Sequence, residues 1–306
     1  MCTTCGCGEP ATHAHNEQEQ LIKMEQDVLH KNQLQAERNR GFFEARNIKA
    51  INLLSSPGSG KTTLLEKTIK SIGNNFDFYV IEGDQQSSRD ADRIAKTGAK
   101  VLQINTGKGC HLDAAMVHHA LHKLEPVDNA FLMIENVGNL VCPALFDLGE
   151  HKRVVIMSVT EGDDKPLKYP DIFHSAHICI LNKIDLLPYV DFDITAAEDY
   201  LHRLNPNMEV ITISATTGEG MNDWYSWIEK ESRMLVSWEK VKSGLRLTTS
   251  NPLWKLKSKI DECISSLYLQ EDKKLDKVKK ELRLNTWLSN RKKIFSYIRI
   301  INKAFC

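Results

Sequence analysis

The chain has 306 residues, of which 42% are hydrophobic and 26% charged, the profile of a soluble globular protein of one or two domains. Its 40 Lys/Arg and 40 Asp/Glu are unevenly placed, 23 against 33 in residues 1–235 and 17 against 7 in residues 236–306, and the acidic body argues against a nucleic-acid function for the main domain. No uncharged stretch approaches a bilayer span, and no basic start followed by an apolar run marks a secretory signal. The expected compartment is the cytoplasm, where the eight cysteines are thiols or metal ligands more readily than disulfides.

Residues 1–15 are small, Cys-rich and unpatterned and read as a mobile arm. Residues 16–46 follow as a helix, with Leu21, Met24, Val28 and Leu34 as an apolar stripe among Gln, Glu and Lys. Lys49 to Leu54 is a short buried strand, and Thr62 to Ile72 a helix. Apolar runs at 78–81, 131–134, 154–157, 178–181 and 210–213 predict further strands, buried on both faces. Helical patterns at 90–96, 113–124, 196–204 and 222–234 separate them. Strands alternating with helices imply a mostly parallel sheet covered on both sides, over residues 47–235. Residues 236–306 lose the alternation and read as a basic helical extension of two or three Lys-rich helices (253–269, 273–284 and about 287–303).

Between the first strand and the next helix lies Ser55-Ser56-Pro57-Gly58-Ser59-Gly60-Lys61-Thr62-Thr63. Small residues here let backbone N–H groups wrap a phosphate, as in a P-loop NTPase. Gly58, Ser59 and Gly60 fit that role. Lys61 would reach the β- and γ-phosphates and Thr62 would ligate Mg²⁺, with the helix N-terminus adding favourable electrostatics. Ser55 stands where such loops usually begin with glycine. Asn182-Lys183-Ile184-Asp185 follows a strand at the sheet edge where ligands of α/β folds bind. A carboxylate at Asp185 can accept from N1–H and N2–H₂ of guanine, a pair that adenine lacks, and Lys183 can pack along the base. Ser214-Ala215 can offer backbone N–H groups near O6, so GTP is expected over ATP. Asp84 and Glu135 end two further strands, where carboxylates meet Mg²⁺ or its waters. No water-positioning glutamine follows Gly138, which predicts slow hydrolysis.

Cys2, Cys5 and Cys7 place three thiolates within six residues, a set for Cu(I), Zn(II) or Ni(II). Cys110-His111, in a Gly-rich loop, and Cys142 supply two sulfurs and one imidazole, three ligands of a four-coordinate site. His118 and His119 read as solvated or packed, and Cys179 as core.

Together these segments resemble the HypB family of nickel–iron hydrogenase maturation GTPases over about residues 1–234. The resemblance rests on Glu82-Gly83-Asp84-Gln85-Gln86, Asn105 to Ala114, Glu135 to Pro143 and Glu161 to Pro170. It implies GTP hydrolysis, nickel delivery to the hydrogenase large subunit and GTP-promoted dimerisation. It also implies a nickel site at Cys2, Cys5 and Cys7 and a zinc or nickel site at Cys110, His111 and Cys142, near the dimer interface. Expected partners are the nickel-binding companion HypA and a peptidyl-prolyl isomerase. The long His-rich stretch of some members is missing. Competing readings are a metal-storage or sensor protein with vestigial GTP binding, an accessory GTPase for another enzyme such as urease, and a P-loop small-molecule kinase.

Overall fold

The computed structural model describes residues 11–84, 89–107 and 109–244, with side chains from 23 to 232 within those spans. Cys2, Cys5 and Cys7, and the tail helices expected beyond 244, lie outside the described residues. The chain divides into two compact units, Met1–Arg233 and Met234–Cys306.

The first unit is built on seven strands: β1 (Lys49–Ser55), β2 (Phe78–Asp84), β3 (Lys100–Asn105), β4 (Phe131–Glu135), β5 (Lys152–Ser158), β6 (Ile178–Asn182) and β7 (Glu209–Thr212). They pair in parallel in the order β3-β2-β4-β1-β5-β6-β7. The expected strands are present. β3 is the strand the sequence does not announce. It is an edge strand with Lys100, Gln103 and Asn105 among its residues, so it lacks the continuous apolar run of the central strands.

The helices are α1 (Ala11–Arg46), α2 (Lys61–Ile72), α3 (Arg89–Ala95), α4 (Ala114–Leu124), α5 (Cys142–Leu145), α6 (Lys165–Lys168), α7 (Pro170–Ser175), α8 (Ile194–Leu204) and α9 (Met221–Gly244). Alternate residues of each strand face opposite layers. Ile51, Leu53, Val80, Met133 and Ile156 pack on α2 and on Trp224 and Ile228 of α9. Ala50, Ile81, Leu132 and Ile134 pack on Phe43 of α1 and Val117 and Leu121 of α4. Leu54, Val155, Met157 and Leu181 pack on α7 and α8. Cys179 is fully buried in that last group, and burial pushes its thiol well above the ordinary range.

α1 departs from its expected pattern twice. It is already helical at Ala11, the first described residue, within the segment read as an arm. Of the expected apolar stripe, Met24 and Val28 are exposed and Leu34 is half-buried, and the buried residues of the helix are Asn32, Ala36, Asn39 and Phe43. The two buried amides are tolerated because they are satisfied. Asn39 Nδ2 donates to Ala114 O at 2.8 Å and Leu148 O at 3.0 Å. Asn32 Nδ2 donates to Asp147 O at 2.7 Å, and its Oδ1 accepts from Ala114 N at 2.8 Å. These bonds fasten α1 to the start of α4 and to the loop before β5.

β1 sits between β4 and β5, and the chain leaves it toward β2 on one side and returns through β4 to the other. The loops after β1, β2 and β4 therefore meet at the carboxyl ends of the strands, where open parallel sheets bind ligands. No helix among the described residues is long and apolar enough to cross a membrane.

Candidate functional site

Five residues separate β1 from α2, and the turn is made by Gly60 at φ 99°, a left-handed conformation at the helix N-cap. A Cβ on Gly60 would stand 2.4 Å from Asn182 Nδ2, so conformation and space both require glycine. Residues 57–63 line a cavity of about 690 Å³ that also receives Asp84, Glu135 and Lys183. Lys61 Nζ donates to Ser55 Oγ at 2.7 Å. The serine at the glycine position thus holds the lysine. Burial lowers the Lys61 pKa, and Glu135 is the strongest opposing charge.

Thr62 Oγ1 donates to Glu135 Oε1 at 2.6 Å. Glu82 and Glu135 are register partners on adjacent strands, both almost fully buried. Burial first, and Glu135 next, push Glu82 up to about 8; burial raises Glu135 as well. The Oε2 atoms of both lack a hydrogen-bond partner, as does Ser59 Oγ. Buried carboxylate oxygens without donors, beside a threonine hydroxyl, form an all-oxygen set that fits a hard cation such as Mg²⁺.

At the other end of the loop, Asn182 Nδ2 donates to Ser59 O at 2.8 Å. Its Oδ1 accepts from Lys183 N at 2.8 Å and Ala215 N at 3.0 Å. One buried amide therefore ties the phosphate loop to both segments expected around the base. Lys183 adopts φ 64° and reaches Gly58 O with Nζ at 2.7 Å. Asp185 is the second residue of a short 3-10 helix, Ile184–Tyr189, and its Oδ1 is buried with no partner. Asp185, Ser214 and Ala215 stand beyond the cavity lining, and Ala215 is tied toward it through Asn182.

Cys110, His111 and Cys142 bring their ligand atoms within 4.8 Å of one another, all half-buried. Cys110 Sγ lies 3.6 Å from His111 Nδ1, and the ring of His111 stacks on Phe146 with centroids 3.8 Å apart. A hydrogen bond with Cys142 raises the Cys110 pKa, and burial lowers that of His111. The imidazole is thus held in the neutral form that ligates. Two sulfurs and one imidazole suit Zn(II) or Ni(II), with a fourth position open.

Several contributors carry no recognisable sequence signal. Asn136 Oδ1 accepts from Leu112 N at 3.1 Å and Val137 N at 3.0 Å, tying the end of β4 to the residue after His111. Leu112 in turn fills the space over Gly83, where a Cβ would meet its Cγ at 2.7 Å. Lys165 donates to Ser56 Oγ at 2.5 Å and to Glu161 Oε2, bracing the phosphate loop from α6. Cys110 itself lines the cavity that residues 57–63 form. The loop carrying Cys110 and His111 is therefore one wall of that cavity.

A family model described as "CobW/HypB/UreG, nucleotide-binding domain" matches residues 49–212. The chain is 56% identical over 227 residues to hydrogenase maturation factor HypB of Azotobacter vinelandii, covering 74% of this chain and 75% of that protein. Against the Escherichia coli K12 protein of the same description it is 53% identical over 227 residues, covering 74% and 78%. Among solved structures it is similar to HypB of Archaeoglobus fulgidus, at TM-score 0.63 and 40% identity, over 66% of this chain and 99% of that one. It is similar also to HypB of Helicobacter pylori in complex with nickel, at TM-score 0.62 and 38% identity, over 67% and 96%. Fold, phosphate loop and sequence identity agree: the chain belongs to the HypB family of hydrogenase maturation factors, P-loop nucleotide-binding proteins of the CobW/HypB/UreG group.

Proposed function

We propose that the chain is a GTPase that binds nickel and inserts it into the large subunit of nickel–iron hydrogenase, with the nucleotide state controlling the ion. The observation that carries this reading is the shared wall: Cys110 lines the cavity formed by the phosphate loop, and Asn136 joins its loop to the strand ending at Glu135. A nickel-bound relative supports the choice of ion.

In this reading Gly58, Ser59 and Gly60 cradle the phosphates and Lys61 leaves Ser55 for their oxygens. Asp185 accepts from the guanine edge, Lys183 covers the base, and the Ser214-Ala215 segment, tethered by the bond from Ala215 N to Asn182, lies beside O6. Thr62, Asp84 and Glu135 would hold Mg²⁺, which when bound supplies charge neutralisation at the β- and γ-oxygens. Lys61 and the first-turn amides of α2 stabilise the remaining charge, and hydrolysis is slow because Asn139 stands where a water-positioning glutamine would help. Cys110, His111 and Cys142 hold zinc or nickel, and Cys2, Cys5 and Cys7 provide a second nickel site. Val141 and Leu145 are exposed on either side of Cys142, which supports a second copy completing the site in a GTP-promoted dimer. HypA and a peptidyl-prolyl isomerase are the further partners, and the cytoplasm is the compartment.

The test replaces Lys61 by Ala in a cell whose hydrogenase depends on this protein, under limiting nickel. Lost hydrogenase activity, restored by excess nickel, is the expected result. Full activity with the variant would favour a storage protein with vestigial nucleotide binding.

A further inference from the structure

α4 carries a second group of metal-ligating side chains, outside the Cys110 site. His118 and His122 are one turn apart and face each other, as residues at i and i+4 do. Their Nε2 atoms are 3.2 Å apart, with the rings crossed at 87° and centroids 4.7 Å apart. The same spacing supplies two ligands in helix-borne zinc sites. With metal–nitrogen bonds of about 2.0–2.1 Å, two nitrogens 3.2 Å apart subtend an angle of about 100° at a shared ion. That value lies between the cis angle of a square-planar or octahedral centre and the angle of a tetrahedral one.

The surroundings favour an exchangeable ion. His122 is exposed and His118 half-buried, so solvent reaches the pair. Arg38 lies near enough for its charge to act on His118. The Arg38 guanidinium, approaching from α1, opposes a bound cation and weakens the site. His119 is not a member: its Nδ1 lies 2.7 Å from Ala115 O and its ring centroid 6.1 Å from that of His118.

We propose that His118 and His122 form a solvent-facing site for a borderline divalent ion, nickel or zinc, separate from the Cys110, His111 and Cys142 set. Two imidazoles and water hold an ion more loosely than two thiolates and an imidazole, so the pair suits a loading position. The competing explanation of the short approach is an imidazole–imidazole hydrogen bond.

The test uses the full chain with Cys2, Cys5, Cys7, Cys110 and Cys142 all replaced by Ala, titrated with Ni²⁺ by calorimetry. The expected result is one residual ion per chain without thiolate charge-transfer absorption. His118→Ala or His122→Ala should weaken it by about tenfold or more, and His119→Ala should leave it unchanged. Because the cysteine-free chain could fold poorly, His122→Ala is also made in the unaltered chain, where it should remove one weak equivalent. No residual binding in a cysteine-free chain whose circular dichroism matches the parent would overturn the site. So would residual binding indifferent to His118 and His122, or an unchanged stoichiometry in the unaltered chain.

Discussion

Replacing Asp185 by Asn tests the base-recognition reading with little risk to the fold. Asp185 Oδ1 is buried and has no hydrogen-bond partner, so the substitution breaks no bond at that oxygen. Asp185 also sits at the start of a short 3-10 helix, away from the hydrophobic core. The loss of folding stability should stay below about 1 kcal/mol. The nucleotide should feel far more. A hydrogen bond to a charged group is worth about 1.5–3 kcal/mol, and in the proposed function the carboxylate accepts from both N1–H and N2–H₂ of guanine. Removing its charge and setting an amide donor against guanine donors should cost about 3–4 kcal/mol, or roughly 10²- to 10³-fold in GDP affinity. Xanthine carries a carbonyl where guanine has N2–H₂, so the variant should prefer XDP. The assay is a fluorescence titration with labelled GDP and XDP, alongside a urea unfolding curve. Unchanged GDP affinity in a normally folded variant would refute the role given to Asp185, and equal competition by ADP in the parent would refute guanine selection.

Three further outcomes follow from the same geometry. Glu135→Gln keeps an acceptor for the Thr62 hydroxyl, which donates at 2.6 Å, but removes a charge; nucleotide binding should survive while Mg²⁺-dependent hydrolysis falls by about 10²- to 10³-fold in a phosphate-release assay. Glu82 is held at about 8 in the folded protein against an ordinary 4.5, so between those values the folded state keeps a proton that the unfolded chain has lost. The stability of the nucleotide-free protein should therefore fall as pH rises from 4.5 toward 8, by up to about 1.4 kcal/mol per pH unit from this group, and level off above; Glu82→Gln should remove that slope from the urea midpoints. Asn39→Ala strips the amide that donates to Ala114 O and Leu148 O, so two buried hydrogen bonds are lost. It should cost about 2–4 kcal/mol by chemical denaturation, whereas a change within about 0.5 kcal/mol would mean α1 contributes little to the fold.

Much of this architecture is legible in the chain because the central strands are buried on both faces and so appear as continuous apolar runs. β3, paired on one side only, mixes Lys100, Gln103 and Asn105 into its run and escapes the pattern. α1 misleads for the opposite reason. Its conspicuous Met24 and Val28 face outward, while Asn32 and Asn39 go inward on hydrogen bonds to backbone groups more than seventy residues away. The phosphate loop and Asn182-Lys183-Ile184-Asp185 are local motifs and can be read directly. The bonds that unite them cannot, because Asn182 joins Ser59 to Ala215 across separate strands. The same holds for Asn136, whose bond to Leu112 exists only once β4 is paired beside β1 and β2. The histidines of α4 look like surface residues one at a time, and their convergence is a matter of rotamer and helix phase.

The coupling of nucleotide to metal is tested most directly by nickel titration of a Cys2/Cys5/Cys7→Ala chain, with and without a non-hydrolysable GTP analogue and Mg²⁺. The shared cavity wall predicts that the analogue changes nickel affinity at Cys110, His111 and Cys142, and that nickel changes affinity for the analogue by the same factor, as linkage requires. Both shifts should vanish in Cys110→Ala. Nickel affinity identical in the two nucleotide states, with the site demonstrably occupied, would contradict the account and leave two independent sites on one fold.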